Sequence, residues 1–531
     1  MKKFVLPYHA TGYFSKAVVD YLDGTPTMQP YYKYRLSDNS FTEIIEDRKL
    51  FSHRKTLVAA LTKQHESLSY KNSLNQVTAH IAALGNENTY TVTTAHQPNL
   101  FLGPLYLVYK IITTINLSKQ LNIQFPAKRF IPVYWMGSED HDKEELNHIQ
   151  LFGKTITWNT DQQGAFGRMH TATLDLLIND IETVLGDSED AKRCAELLRS
   201  CYLEEETIAA ATRKILYHFF AADGLVIVDG DDAALKKIFL PIMEKELREE
   251  FSFPIVNSAS EAFSKNYASQ IAPREINLFY LDENVRQRIV KKGERYEILN
   301  TSLSFSQDEM LNLLHVHPEK FSPNVVLRPL YQETVLPDVA FIGGGAEVTY
   351  WLQLKSLFEA TNVFFPLVLL RNSVLWIDHS NSSRMLKLSI SAEQLFQPAE
   401  SLIKQFLLKQ SGDGISLSEE KQTLNELMEH IQRSIVKVDA SLKGAVEAEK
   451  TKMQKSLELL EDKMRKAVKK REESSVQQIQ NIREKLFPGN GLQERYDNFL
   501  SWYLRYGTGF FDTLKSKLEP MDPTFTVIME E

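Results

Sequence analysis

The sequence predicts an α/β fold built on a mostly parallel, doubly wound sheet, followed by a long α-helical coiled coil. Three observations carry this. Apolar, β-rich runs alternate with segments of helical periodicity through residue 384. Several of those runs stop at a small-residue turn that delivers polar side chains, as strands do at a ligand crevice. A heptad-spaced segment then runs over residues 417–486, with Gly444 as its only Gly or Pro.

The elements follow in order. Residues 1–85 read as mainly helical, with an amphipathic span at 55–84. A β-rich run at 89–94 enters a loop holding Pro98, Gly103 and Pro104, and residues 105–121 then show helical spacing. A second strand at 129–136 ends in Gly137-Ser138-Glu139-Asp140-His141-Asp142. Residues 148–158 read as further strand and 175–220 as helical. The run 224–228 is a buried strand before a helix. Residues 276–300 read as a hairpin, with turns near Asp282-Glu283-Asn284 and Lys292-Gly293. A strand at 340–342 enters Gly343-Gly344-Gly345, a helix covers 346–360, and 364–370 is a last strand. The expected organisation is a core at 1–384, with insertions at roughly 155–220 and 257–325. A coiled coil follows at 385–490, then a segment at 491–531 whose aromatics dock back on the core.

In the coiled coil the apolar seam runs through Leu424, Met428, Ile431, Ile435, Val438, Leu442 and Val446. It resumes at Met453, Leu457, Leu460, Met464 and Ala467, with Glu and Lys between. The expectation is a homodimer arm. The alternative is an intramolecular hairpin, folding back near Ser474-Ser475.

Bulk composition narrows the function. The chain has 531 residues, 43% hydrophobic and 24% charged, too long for one simple core and ordinary for a globular protein. Its 61 basic and 69 acidic side chains give a net charge of −8, which argues against nucleic acid as a partner. Two cysteines, Cys194 and Cys201, in so long a chain fit a reducing compartment. No apolar run approaches about 18 residues, and the N-terminus lacks the apolar stretch of a signal peptide. No membrane span and a cytoplasmic location are the expectation.

Three constellations carry chemistry. In the first, His96, Gln97 and Asn99 lie between a strand and a helix start, where free N–H groups and the helix dipole favour a phosphate, carboxylate or leaving group. The spacing is neither a P-loop nor GxGxxG. In the second, Glu139, Asp140, His141 and Asp142 crowd together after a strand, suited to orienting an amine or acting as general base. His148 is seven residues beyond His141, which is not an HExxH arrangement, and no metal is expected. In the third, Arg328, Gln332 and Glu333 precede Gly343, Gly344, Glu347 and Tyr350, and Arg371 follows the last strand. The glycines let backbone approach a ligand, and either arginine can clamp a carboxylate or phosphate.

Taken in this order, the constellations resemble the cysteine-adding enzymes of bacillithiol synthesis, the BshC cysteine ligases. The matching residues are Gln97, Leu100 and Gly103-Pro104-Leu105-Tyr106, then Trp135, Glu139-Asp140-His141-Asp142 and Asn147. Arg328-Pro329-Leu330, Gln332-Glu333, Leu336-Pro337, Gly343-Gly344, Glu347, Tyr350-Trp351 and Arg371 complete them. Ala95, His96 and Asn99 stand where the family commonly has other residues, as do Gly137-Ser138. The resemblance implies a Rossmann-like core related to class I aminoacyl-tRNA synthetases, with a coiled-coil dimerisation arm. It implies a ligase that joins the carboxyl of L-cysteine to the amine of glucosaminyl-malate, with ATP as the natural activator. On that reading His96 and Gln97 stabilise developing charge, and Glu139 and Asp140 orient the amine. His141 or Asp142 is the base, and Arg328 or Arg371 holds the malate carboxylates. The competing readings are a metal- or nucleotide-dependent nucleotidyltransferase or hydrolase on the same core, and a non-enzymatic coiled-coil scaffold.

Overall fold

Residues 130–136 are apolar without a break because the strand that carries them is covered on both faces. The structure, a computed structural model, describes residues 1–37, 40–48, 51–66, 74–411 and 416–531. Residues 67–73, part of the amphipathic span expected at 55–84, lie outside the described residues. The helices Arg54–Glu66 and Asn75–Ala83 flank them. Along the chain the strands are β1 (Lys2–Pro7), β2 (Thr89–His96), β3 (Arg129–Met136), β4 (His148–Leu151), β5 (Lys154–Thr157), β6 (Val226–Asp229), β7 (Leu278–Asp282) and β8 (Val285–Lys292). They continue as β9 (Arg295–Ile298), β10 (Ser304–Ser306), β11 (Phe321–Pro323), β12 (Asp338–Gly343), β13 (Leu367–Leu370), β14 (Val374–Ile377) and β15 (Thr524–Met529).

The chain divides into two compact units, residues 5–375 with 492–526, and residues 1–4 and 376–491 with 527–531. The division at 375/376 falls within β14, ahead of the composition change expected at 384/385.

The larger unit is built on a five-stranded, all-parallel sheet of order β13-β12-β2-β3-β6. Its register aligns the carboxyl ends. His96 pairs with Met136, Met136 with Asp229, Ile342 with Thr94 and Gly343 with Leu370. Strands β2, β3 and β6 are laid down in one direction; β12 and β13 are then placed on the other side of β2. That reversal opens a crevice between the carboxyl ends of β2 and β12. Helices cover both faces. Leu117 and Leu121 of Tyr106–Gln124, with Phe41 and Ile44 of Ser40–Asp47, pack on Tyr90, Val92 and Phe130. On the other face Trp135 meets Tyr331 of the helix Arg328–Val335 edge-on at 5.1 Å, and Phe239 of Ala233–Glu249 backs Tyr331. Threonine-rich β2 stays buried because its hydroxyls are satisfied. Thr91 and Thr93 donate to the Asp338 carboxylate and Thr94 donates to the Ile342 carbonyl at 2.8 Å.

Four expectations hold in type and gain detail. Residues 148–158 form the antiparallel hairpin β4–β5, outside the core sheet, turning at Phe152 and Gly153 with φ of 51° and 78°. The stretch 175–220 is three helices, Leu174–Leu185, Glu189–Tyr202 and Ile208–Phe220. Gly186 ends the first, and the Ser188 and Thr207 side chains cap the next two. The hairpin at 276–300 is the middle of a five-stranded antiparallel sheet of order β10-β9-β8-β7-β11. Its outer strands are three residues each, too short for alternation to reveal. The last strand starts at Leu367 because Pro366 cannot donate to a ladder. Within this unit Phe499, Tyr503 and Phe511 surround Phe219, with ring centroids 5.4, 5.2 and 4.8 Å away.

In the smaller unit the helices Ser418–Val436 and Lys443–Arg471 lie antiparallel. Lys421 pairs with Glu461 at 2.6 Å, and Gln454 donates to Asn425 at 2.7 Å. The fold-back is at residues 437–442, where Asp439 caps the short turn Ala440–Leu442. Ser474 and Ser475, the expected reversal, sit inside the helix Glu473–Leu486. Val438, Leu442 and Val446 keep a four-residue spacing through the true turn, so periodicity did not mark it.

Candidate active site

A cavity of about 690 Å³ opens at the crevice between β2 and β12. Its first wall is the end of β2. Tyr134, from the neighbouring β3, donates to the His96 and Gln97 carbonyls at 3.1 and 3.2 Å. The loop then bends through Phe101, Leu102 and Gly103, all at positive φ. A Cβ at Gly103 would meet the Asn99 side chain at 2.7 Å, so only glycine fits there. The tail braces this loop, with the Asn498 amide donating to the Phe101 and Gly103 carbonyls at 2.9 and 2.7 Å. Burial, and then the Lys110 charge, hold the His96 imidazole well below its ordinary pKa, so it is neutral. Its Nε2 lies 3.1 Å from the Tyr106 hydroxyl, whose pKa burial and Glu347 push up to about 12. Asn99 does not line the cavity; it is buried behind the loop.

The acidic turn forms the second wall, and the fold splits its four residues. Glu139 faces away from the cavity and pairs with buried Lys236, which also holds Asp231 at 2.8 Å. Asp231 in turn accepts a two-pronged contact from Arg168. Asp140 is clamped bidentately by Arg328 at 2.8 and 2.6 Å and touched by Arg286 at 3.1 Å. Burial raises the Asp140 carboxyl, but Arg328 and Arg286 overcome it and hold it far below the usual range. Both residues expected as amine ligands are therefore engaged in ion pairs, and only Asp140 borders the cavity.

His141 and Asp142 are presented to the cavity. Arg286 donates to His141 Nδ1 at 2.7 Å. A guanidinium only donates, so Nδ1 is an acceptor and the imidazole proton sits on Nε2. Burial and then Arg286 also lower the His141 pKa. His141 thus presents a neutral ring with its Nε2–H as donor. Asp142 stays half exposed, its carboxylate 4.0 Å from the His141 ring.

The third wall is the start of the helix Gly345–Thr361. Glu347 caps it, accepting from Gly344 N at 2.7 Å and pairing with buried Lys110 at 2.6 Å. Gly344, Glu347, Tyr350, Arg328 and Arg371 all border the cavity. Arg371 is held by Glu494 at 3.0 and 2.7 Å and by the Ser373 hydroxyl at 3.0 Å. Three expected members lie elsewhere. Gly343 serves packing, because a Cβ there would reach the Glu347 side chain at 3.0 Å. Gln332 and Glu333 are buried beside Asp338, at the opposite end of β12.

Residues the sequence reading passed over complete the site. Lys110 interrupts the apolar spacing of its helix, a signal that was available. Arg286 and Arg288 alternate on β8 toward the cavity, visible only once that strand is paired. Glu494 carries no local signal. Among the described residues no three His, Cys, Asp or Glu side chains gather as a metal site would need.

Residues 1–372 match the description "Bacillithiol biosynthesis BshC, N-terminal Rossmann-like domain", and residues 374–530 match "Bacillithiol biosynthesis BshC, C-terminal coiled-coil domain". The chain belongs to the BshC family. A Flavobacterium johnsoniae relative is 40% identical over 526 residues, covering 98% of this chain and 99% of the relative. One from Flavobacterium psychrophilum is 41% identical over 527 residues, and one from Christiangramia forsetii 39% over 531, each covering 98% of both chains. All three carry the name "Putative cysteine ligase BshC". The Rossmann-like core and coiled-coil domain of the BshC family are the parallel sheet and the helical hairpin described above.

Proposed function

We propose that this chain is a ligase that joins the carboxyl of L-cysteine to the amine of glucosaminyl-malate. The observation that carries the reading is the division of the acidic turn. Two of its residues are locked in ion pairs, which leaves a hydrogen-bond donor, His141 Nε2–H, beside an open carboxylate, Asp142. Amide formation needs both. The amine nitrogen attacks the activated carboxyl carbon and the C–N bond forms. The amine proton passes to Asp142, while His141 and Gln97 hydrogen-bond the oxygen on which charge develops. The leaving group departs with its bonding pair. The cavity volume lies within the range of small-molecule sites.

A free carboxylate needs activation, and the proposed donor is ATP, which would supply the leaving group. His96, Gln97 and Arg495, on the β2 side of the cavity, are the residues proposed to hold its phosphates.

No helix among the described residues is long and apolar enough to cross a membrane. Both cysteines are free and buried, which fits the proposed cytoplasmic location. The hairpin of the smaller unit leaves Leu427, Leu459 and Leu460 at least half exposed, and the proposed occupant of those side chains is a second copy of the chain. Sedimentation of the full chain should then report a dimer that L427E/L460E converts to a monomer.

The decisive experiment incubates the chain with L-cysteine, glucosaminyl-malate and ATP and follows bacillithiol by mass spectrometry. Asp142→Asn should lower kcat by about 10²–10⁴-fold with the unfolding midpoint unchanged. Full activity in that variant removes Asp142 as the proton acceptor; no product from the wild type removes the ligase reading.

A further inference from the structure

The arginines expected to hold the malate carboxylates, Arg328 and Arg371, already spend their terminal nitrogens on Asp140 and Glu494. The cavity nevertheless carries more positive charge than it uses. Six guanidiniums line it, those of Arg274, Arg286, Arg288, Arg328, Arg371 and Arg495, against the four carboxylates of Asp140, Asp142, Glu145 and Glu347. Six minus four leaves an excess of two positive charges. Just behind the wall Lys110 and Glu494 cancel each other. The chain as a whole is at −8, so a net positive cavity is a local construction.

The surplus has a location. Arg288 on β8 stands directly opposite Phe279 on β7, and Arg286, two residues before it, stacks over the Phe279 ring at 4.0 Å. Arg274 borders the same side, with Ile276. Among the described residues no carboxylate holds the guanidinium of Arg274 or Arg288. Arg495 lies on the opposite side, where its charge acts on Tyr106. One flank of the cavity thus offers two free, planar, bidentate donors over an apolar floor of Phe279 and Ile276. That pattern suits two carboxylates carried on a short carbon chain.

We infer that Arg274 and Arg288 form a dicarboxylate subsite that holds the malate end of the amine substrate. This rests on the ligase reading for the identity of the substrate, though the charge surplus stands without it. The subsite turns the amine end toward Asp142 and His141. The inserted antiparallel sheet, and not the parallel core, sets specificity for a doubly negative substrate. A triphosphate is the other source of such charge, and the test separates the two.

The full-length chain and its Arg274→Gln and Arg288→Gln variants are titrated calorimetrically with L-malate, glucosaminyl-malate, methyl glucosaminide and ATP. Both arginines are at the surface of the cavity, and unchanged circular dichroism and melting confirm that the variants fold. Each variant should weaken L-malate and glucosaminyl-malate by at least about tenfold. Neither should alter methyl glucosaminide, and ATP should bind all three proteins alike. The inference is overturned if the variants take malate as well as the wild type does. It is overturned equally if they lose ATP while keeping malate, or if the wild type takes neither malate ligand. Malate binding that the variants lose, with no amide product from the wild type, keeps the subsite and removes the ligase reading.

Discussion

At the carboxyl ends of the parallel strands, buried carboxylates meet cations, whereas at the amino end of β12 two carboxyls meet each other. Asp140 faces Arg328 and Arg286, and Glu139 and Asp231 share Lys236. Glu333 and Asp338, in contrast, lie side by side under the hydroxyls of Thr91 and Thr93. Burial, and then Asp338, raise the Glu333 carboxyl well above its ordinary range, and burial raises Asp338 as well. A shared proton relieves the repulsion between two such acceptors, which the nearby Arg48 charge offsets only in part. The same cost of burying a carboxyl is met by pairing at one end of the sheet and by protonation at the other. The paired end keeps fixed charges around the cavity between β2 and β12.

Breaking the paired end should have the largest effect. Arg328→Met leaves Asp140 with one partner and should cost about 3–5 kcal/mol in urea unfolding, with activity lost. Arg328→Lys should also fail, since a single ammonium cannot make the two-pronged contact. A variant as stable as wild type would show that Arg286 alone supports Asp140.

The protonated end should respond to pH with the opposite sign. The folded Asp140 carboxyl lies below its ordinary value, so its contribution is present above about pH 3.9 and is lost as pH falls further. The folded Glu333 carboxyl lies above its ordinary value. Its contribution is full below about pH 4.3 and is lost as pH rises through the folded value. Glu333→Gln cannot ionise, so its stability relative to wild type should climb with pH, by up to about 1.4 kcal/mol per unit. A difference that stays flat from pH 5 to pH 9 would mean the pair holds no proton.

The finest expected effect sharpens the comparison at one atom. Nitrogen-15 spectra at pH 7 should show His141 as the Nε2–H tautomer, because Arg286 donates to Nδ1. A protonated Nδ1 would release His141 to act as a base and return Asp142 to a lesser role.

Much of the core was legible in advance because its signals are local. The run at 129–136 matches β3 to the residue, and the glycine turn at 343–345 leads into a helix as expected. Site residues were legible as a group but not individually. Glu139 and Asp140 are neighbours of the same type, yet one turns into the core toward Lys236 and the other borders the cavity. Gln332 and Glu333 follow Arg328 by four and five positions, and the helix carries them to the far end of the sheet. Arg286 carries no local signal because its partners are 145 residues away at His141 and one residue farther at Asp140.

By itself the sequence determined the alternation of strands and helices, the apolar spine of β3, the heptad-spaced helices and the three clusters of polar residues. Each of these follows from spacing within a few positions of the chain, which is where backbone periodicity and turn chemistry act. The tertiary structure decided which carboxylates are spent in ion pairs, which nitrogen of His141 carries the proton, and which arginines are left free. Those outcomes depend on partners far apart in the chain, as with Arg371 and Glu494 or Arg328 and Asp140. Burial removes the water that would otherwise satisfy each charge, so the folded contact alone settles what every group can do.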